Sequence, residues 1–272
     1  MSFLELRRGV EVKIKQNFSG KAGSGKSTLM RYIHEDPRTQ QLLRRWATIS
    51  RDLTTAGFFF WKSGVPEQAS QLGLLRSLLY TLLEKRPENI RYVFSELWDK
   101  YEARSLLYPW EELPHQEIRS RWTMRQVRRG LENLFHADIG NVCLFIDGLD
   151  EYDGDPADTI QLLEGIVSDK VKICLSSRPW VEFEDAFSKL PKLKLQDLTR
   201  DDIETYVTEE FANDRRMLVL SEESPTAASH LVAAVVRKAD GVFLWVKLVV
   251  RIYRLDFFLL HVASIFKAPQ TS

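Results

Sequence analysis

The chain has 272 residues, 44% of them hydrophobic and 28% charged, which supplies apolar side chains for a sizeable core. Its 38 basic residues balance 38 acidic ones, so a nucleic-acid grip built on bulk charge is excluded. Two cysteines, Cys143 and Cys174, sit in apolar runs without metal-ligand spacing; they read as buried thiols in a reducing compartment and exclude a disulfide framework. The opening residues Met1 to Arg8 lack the apolar core of a signal peptide. The apolar segment from Val242 to Phe266 is interrupted by Lys247, Arg251, Arg254 and Asp256 and falls short of the ~20 residues a membrane span needs. The expectation is a cytoplasmic protein that binds neither membrane nor nucleic acid.

In chain order, Val12 to Phe18 alternates like a strand, and a helix follows from Ser27 to His34, with Pro37 marking its end. Thr54 to Trp61 is rich in strand formers and closes at Ser63-Gly64. Pro66 opens a helix running through Gln68 to Lys85, with Leu72, Leu75, Leu78, Leu79, Leu82 and Leu83 at helical spacing. Residues Arg86 to Ala137 form a charged, mostly helical insert broken by Pro87, Pro109 and Pro114. Its aromatics, Trp98, Tyr101, Trp110 and Trp122, read as core anchors rather than a base-stacking surface. Strands follow at Val142 to Asp147 and from Val171, separated by a helix carrying Leu162, Leu163, Ile166 and Val167. Leu193 to Leu198 is a shorter, alternating edge strand, and Thr199 caps a helix with Asp202 three residues on. Helices over Ile203 to Phe211, Pro225 to Val236 and Gly241 to Tyr253 complete the pattern. The βαβ rhythm predicts an α/β fold with a mostly parallel five-stranded sheet between two helical layers, followed by a small all-α helical domain. The boundaries are 1–198 for the α/β domain, 199–253 for the helices and 254–272 for an irregular apolar tail.

Residues Gly20, Lys21, Ala22, Gly23, Ser24, Gly25, Lys26 and Ser27 fit G-x-x-x-x-G-K-[ST], the phosphate-binding Walker A loop, with Thr28 next. Glycines let backbone N–H groups curl round a polyphosphate, and the helix that follows places its positive end there. Lys26 supplies a full charge at the β/γ-phosphates and the Ser27 hydroxyl a ligand for Mg²⁺. Four apolar residues ending in Asp147 form the companion strand, whose carboxylate holds the metal. The interval between Ser27 and Asp147 leaves room for two βα units and the insert. Asp150 and Glu151 follow, able to orient an attacking water, because phosphoryl transfer depends on positioning and charge stabilisation. Asp153, Asp155 and Asp158 read as a solvated acidic loop. Arg178 ends the next strand, at the end of the sheet that faces a ligand crevice. Two roles stay open for it: reaching the γ-phosphate, or an ion pair with the acidic loop.

These segments together resemble a family, the fungal NACHT-type signalling ATPases of the STAND class, and within it the nephrocystin-3-like N-terminal NACHT domain of fungal NOD-like receptors. The likeness rests on Ser19 to Met30, Phe58 to Trp61, Leu74 to Tyr80, Phe145 to Glu151, Ser176 to Pro179, Leu198 to Ile203 and Ala239 to Val246, spanning about residues 18 to 250. It implies a P-loop NTPase three-layer sandwich acting as a nucleotide-controlled switch, with ATP favoured over GTP, Mg²⁺ as companion and slow hydrolysis. It assigns phosphate contacts to the loop from Gly20 to Thr28, metal contacts to Ser27 and Asp147, and hydrolysis and sensing to Asp150, Glu151 and Arg178. It also implies protein partners through effector and sensor domains absent from this chain, which looks truncated at both ends, and nucleotide-dependent self-association. The polar Lys15-Gln16-Asn17 before the loop departs from the family's apolar strand. A true ATPase or small-molecule kinase, and a degenerate scaffold that binds little nucleotide, are the competing readings.

Overall fold

In a computed structural model, which describes residues 14–47, 52–105, 122–137 and 139–254, the strands are β1 (Ile14–Ser19), β2 (Leu53–Phe59), β3 (Asn141–Asp147), β4 (Val171–Ser177) and β5 (Lys192–Lys194). They form one parallel sheet in the order β2-β3-β4-β1-β5. Every residue of β3 and of β4 is buried, which is why Val142 to Ile146 and Val171 to Leu175 read as apolar runs, broken only by Lys172. In register, Phe59 lies beside Asp147 and Ile146 beside Leu175, so the carboxyl ends of β2, β3 and β4 are level. Cys143 and Cys174 are free and buried; burial pushes the Cys143 thiol up to about 12 and the Cys174 thiol well above its ordinary value.

Two compact units divide the described residues: 14–17 with 27–192, and 18–26 with 193–254. In the first, α1 (Lys26–Glu35) buries Met30 and Ile33. Pro37 does end this helix, but it also starts another, α2 (Pro37–Trp46): the Asp36 side chain accepts from Arg38 N–H at 2.7 Å and proline needs no amide partner at that position. A 3-10 turn at Pro66–Ala69 precedes α3 (Gln71–Glu84), capped by Ser70. Its buried face carries Leu74, Leu75, Leu78, Leu79, Leu82 and Leu83, each contributing about 2 kcal/mol of apolar burial. The insert holds α4 (Ile90–Val93), α5 (Ser95–Ser105) and α6 (Met124–His136), the last opened by a Thr123–Gln126 capping box. Trp122 packs on Phe94 with ring centroids 4.5 Å apart, as an anchor should. Trp98 does not behave as one; it is 38% exposed. Pro109, Trp110 and Pro114 lie outside the described residues, as do Val12, Lys13 and the tail from Leu255. After β3 come α7 (Pro156–Ile166), capped by Asp155, and α8 (Val181–Ala186). Between Ser27 and Asp147 the described residues hold one strand, β2, rather than two βα units.

The second unit contains α9 (Leu195–Ala212), α10 (Arg215–Glu223), α11 (Pro225–Ala239) and α12 (Phe243–Arg254) around a core of Ile203, Val207, Phe211, Val235, Val246 and Val250. The edge strand expected over Leu193 to Leu198 is cut short because α9 begins at Leu195. Thr199 therefore lies inside a helix instead of capping one. Its hydroxyl donates to the Gly241 carbonyl at 3.3 Å. Among the described residues, no helix is long and apolar enough to cross a membrane.

Candidate functional site

The loop from Gly20 to Lys26 belongs to the second unit. Two of its glycines occupy the left-handed region that disfavours a side chain, Gly23 at φ 71 and Gly25 at φ 96. Ser24 N–H donates to the Lys21 carbonyl at 3.2 Å, closing a turn between them. The Lys26 ammonium folds back over this turn, donating to the Gly20 carbonyl at 2.7 Å and the Lys21 carbonyl at 3.0 Å. A full positive charge is thereby held on the loop's own backbone. In the same loop the Ser24 hydroxyl, in a residue 1% exposed, has no protein hydrogen-bond partner. A buried hydroxyl without a partner costs roughly 1–3 kcal/mol, so a group that satisfied it would gain that back. A curled glycine backbone, a fixed ammonium and an orphaned hydroxyl suit a polyphosphate. Ala22 is exposed within the turn.

The corner between α11 and α12 touches the same loop. Lys21 is ion-paired with Asp240, and Leu244 N–H donates to the Gly23 carbonyl at 3.0 Å. Sequence reasoning gave neither Asp240 nor Leu244 a role. The Asp240-Gly241 dipeptide signals only a helix stop, and nothing local says what the stop packs against.

The acidic turn lies in the first unit, as do Ser27 and Thr28, both exposed in the first turn of α1. Asp147 ends β3 and is buried; the Ser176 hydroxyl donates to its Oδ1 and accepts from Gly148 N–H at 3.1 Å. Asp150, its side chain 3% exposed, accepts from Arg178 N–H at 2.8 Å through Oδ1 and pairs with Arg178 Nε at 2.9 Å through Oδ2. Of the two roles open for Arg178, the ion pair with the acidic loop is therefore formed, while 44% of its side chain stays exposed. Glu151 Oε2 accepts from Lys62 N–H at 3.0 Å, just past β2. One turn thus ties together the carboxyl ends of three neighbouring strands. Asp153 and Asp158 are exposed, as a solvated loop requires.

Among the described residues, no group of three or more histidine, cysteine or acidic side chains could hold a metal by itself. Magnesium bound with a nucleotide does not need one: it keeps waters and takes one or two protein oxygens beside phosphate oxygens. A Ser27 hydroxyl and an Asp147 carboxylate match that donor chemistry.

The family model that matches this chain is described as nephrocystin 3, N-terminal, and covers residues 16–178, the stretch from β1 through the loop at Gly20 to Lys26 and the acidic turn to Arg178. No curated protein matches the chain.

Proposed function

The chain belongs to the nephrocystin 3 N-terminal family, and we propose that it is a nucleotide-binding switch module of the NACHT kind, taking a nucleoside triphosphate with magnesium and turning it over slowly. The observation that carries this reading is the Lys26 ammonium seated on the Gly20 and Lys21 carbonyls of a loop that also buries a partnerless Ser24 hydroxyl. On this reading Lys26 moves from those carbonyls to the β/γ-phosphates, and the N–H groups from Gly23 to Thr28 line the polyphosphate. Ser27 and Asp147 are the residues that would hold magnesium, which when bound neutralises charge on the phosphate oxygens. Ser176 keeps the Asp147 carboxylate oriented.

The acidic turn supports a switch over a fast enzyme. Both Asp150 oxygens are engaged by Arg178, and Glu151 holds the end of β2. A water-orienting base must be within hydrogen-bond reach of its water, so Glu151 would have to leave Lys62 to act. Two buried thiols fit a reducing, cytoplasmic setting. ATP is the favoured nucleotide, and partner binding or self-association is the output such a switch would control.

Calorimetric titration of Mg·ATP, Mg·GTP and the diphosphates into wild type and Lys26→Ala tests the reading. Wild type binds, and the variant loses binding. A ligand at 100 times its Kd raises stability by about 2.7 kcal/mol, which a melting curve also detects. Equal binding by the two proteins would refute the assignment.

A further inference from the structure

Among the described residues, Asp240 is alone in being a non-glycine with positive φ, at 47. A residue held in that region marks a place where the surroundings dictate the backbone, and its neighbours show what they dictate. On one side the corner is fixed to α9. Gly241 lies so close that a Cβ on it would come within 2.6 Å of Gln196 Cα, and its carbonyl accepts from Thr199. On the other side the corner meets the phosphate loop through the Lys21–Asp240 pair and the Leu244–Gly23 hydrogen bond. Gly23 makes that approach possible, since a Cβ there would stand 3.0 Å from Leu244 Cβ.

The two contacts differ in kind. The ion pair is solvent-exposed, with 44% of the Lys21 and 72% of the Asp240 side chain accessible. Such pairs add little to stability and are screened by salt, so this one is exchangeable. It places a carboxylate on a cation of the loop proposed to receive a polyanion. We propose that Asp240 is a gate on the phosphate loop: it holds Lys21 while the loop is empty and yields it to an incoming polyphosphate. The Leu244–Gly23 hydrogen bond then transmits the state of the loop to α11 and α12. This rests on the nucleotide-binding reading above and adds to it a competitor for phosphate and an output path.

The test uses the full chain, with Mg·ATP and inorganic tripolyphosphate as separate probes in calorimetry. Proteins are wild type, Asp240→Asn, Lys21→Gln and the double variant. Asparagine tolerates the left-handed backbone about as well as aspartate, so the substitution removes charge and leaves the turn. Asp240→Asn binds both probes about fivefold tighter, the equivalent of about 1 kcal/mol for an exposed pair, and this gain vanishes in the Lys21→Gln background. In wild type, tripolyphosphate changes hydrogen exchange at the Leu244 amide. Unchanged or weaker binding by Asp240→Asn, a gain that persists without Lys21, or an indifferent Leu244 amide overturns the gate. If wild type binds neither probe, the nucleotide reading itself falls, a result distinct from binding that ignores Asp240.

Discussion

Replacing Ser176 with alanine removes one oxygen atom and disconnects two strand ends. The hydroxyl is fully buried, donates to the Asp147 carboxylate and accepts from Gly148 N–H at 3.1 Å. A hydrogen bond to a charged group is worth about 1.5–3 kcal/mol and a neutral one about 1 kcal/mol, and both groups left behind are buried away from water. The loss should therefore be about 3 kcal/mol, which for a protein of this size lowers the melting temperature by about 6–12 °C. Urea denaturation followed by tryptophan fluorescence reads it directly, because Trp122 packs in the same unit. The midpoint falls while the slope is unchanged. The same substitution in an Asp147→Ala background should cost about 2 kcal/mol less, because most of what Ser176 stabilises is already gone. A loss below 0.5 kcal/mol, or an equal loss in both backgrounds, would show that Ser176 does not tether Asp147.

Gly25→Ala and Gly23→Ala separate backbone strain from contact. A Cβ at Gly25 meets nothing within 4 Å, so that variant loses only the roughly 1–2 kcal/mol of an unfavourable φ, whereas Gly23→Ala adds the crowding against Leu244 and should melt lower. Equal melting temperatures would mean that the corner yields freely. The pH dependence follows from His34, which packs on Phe145 with ring centroids 4.9 Å apart; burial first and Lys85 second lower its pKa from 6.5. The unfolded chain then binds a proton more readily than the native one. Its contribution is complete above pH 6.5 and is lost as pH falls through the lowered native value. Melting curves between pH 8 and pH 5 should decline at the acid end, less so in His34→Gln; an identical decline in the variant would assign the effect elsewhere.

What could be read from the residues alone was whatever burial writes locally. β3 and β4 are covered on both faces, so Val142 to Ile146 and Val171 to Leu175 announce themselves as apolar runs broken only by Lys172. β1 is less legible because Asn17 and Ser19 are polar yet buried, and Asn17 N–H reaches the Pro191 carbonyl, far along the chain. The end of β5 was misread since alternation in three residues cannot be told from the first turn of a helix. The loop from Gly20 to Ser27 stood out as a motif, because it is a pattern of particular residues at fixed spacing. Its supports did not. Ser176 becomes the partner of Asp147 only through the register that sets Ile146 beside Leu175. Asp240 and Lys21 stand 219 positions apart, and no local pattern links them.

The polar contacts fall into two energetic classes, and the division matches what a switch requires. Ser176–Asp147 and Asp150–Arg178 involve buried carboxylates; removing the Ser176 hydroxyl or the Arg178 guanidinium leaves a desolvated carboxylate, so these contacts resist change and fix the strand ends. Lys21–Asp240 is exposed on both sides and is worth at most about 1 kcal/mol, within reach of a single new phosphate contact. A ligand can shift an equilibrium only by its differential affinity for the two states. An acid–base pair worth this little is one that a bound polyphosphate can break, whereas breaking the buried set would cost several kcal/mol. A conformational response to nucleotide should therefore begin at Lys21 and the α11–α12 corner, while the β3–β4 strand ends keep their hydrogen bonds. Amide exchange would show it as change in the loop from Gly20 to Thr28 and at residues 239–246, with the Gly148 and Arg178 amides still protected.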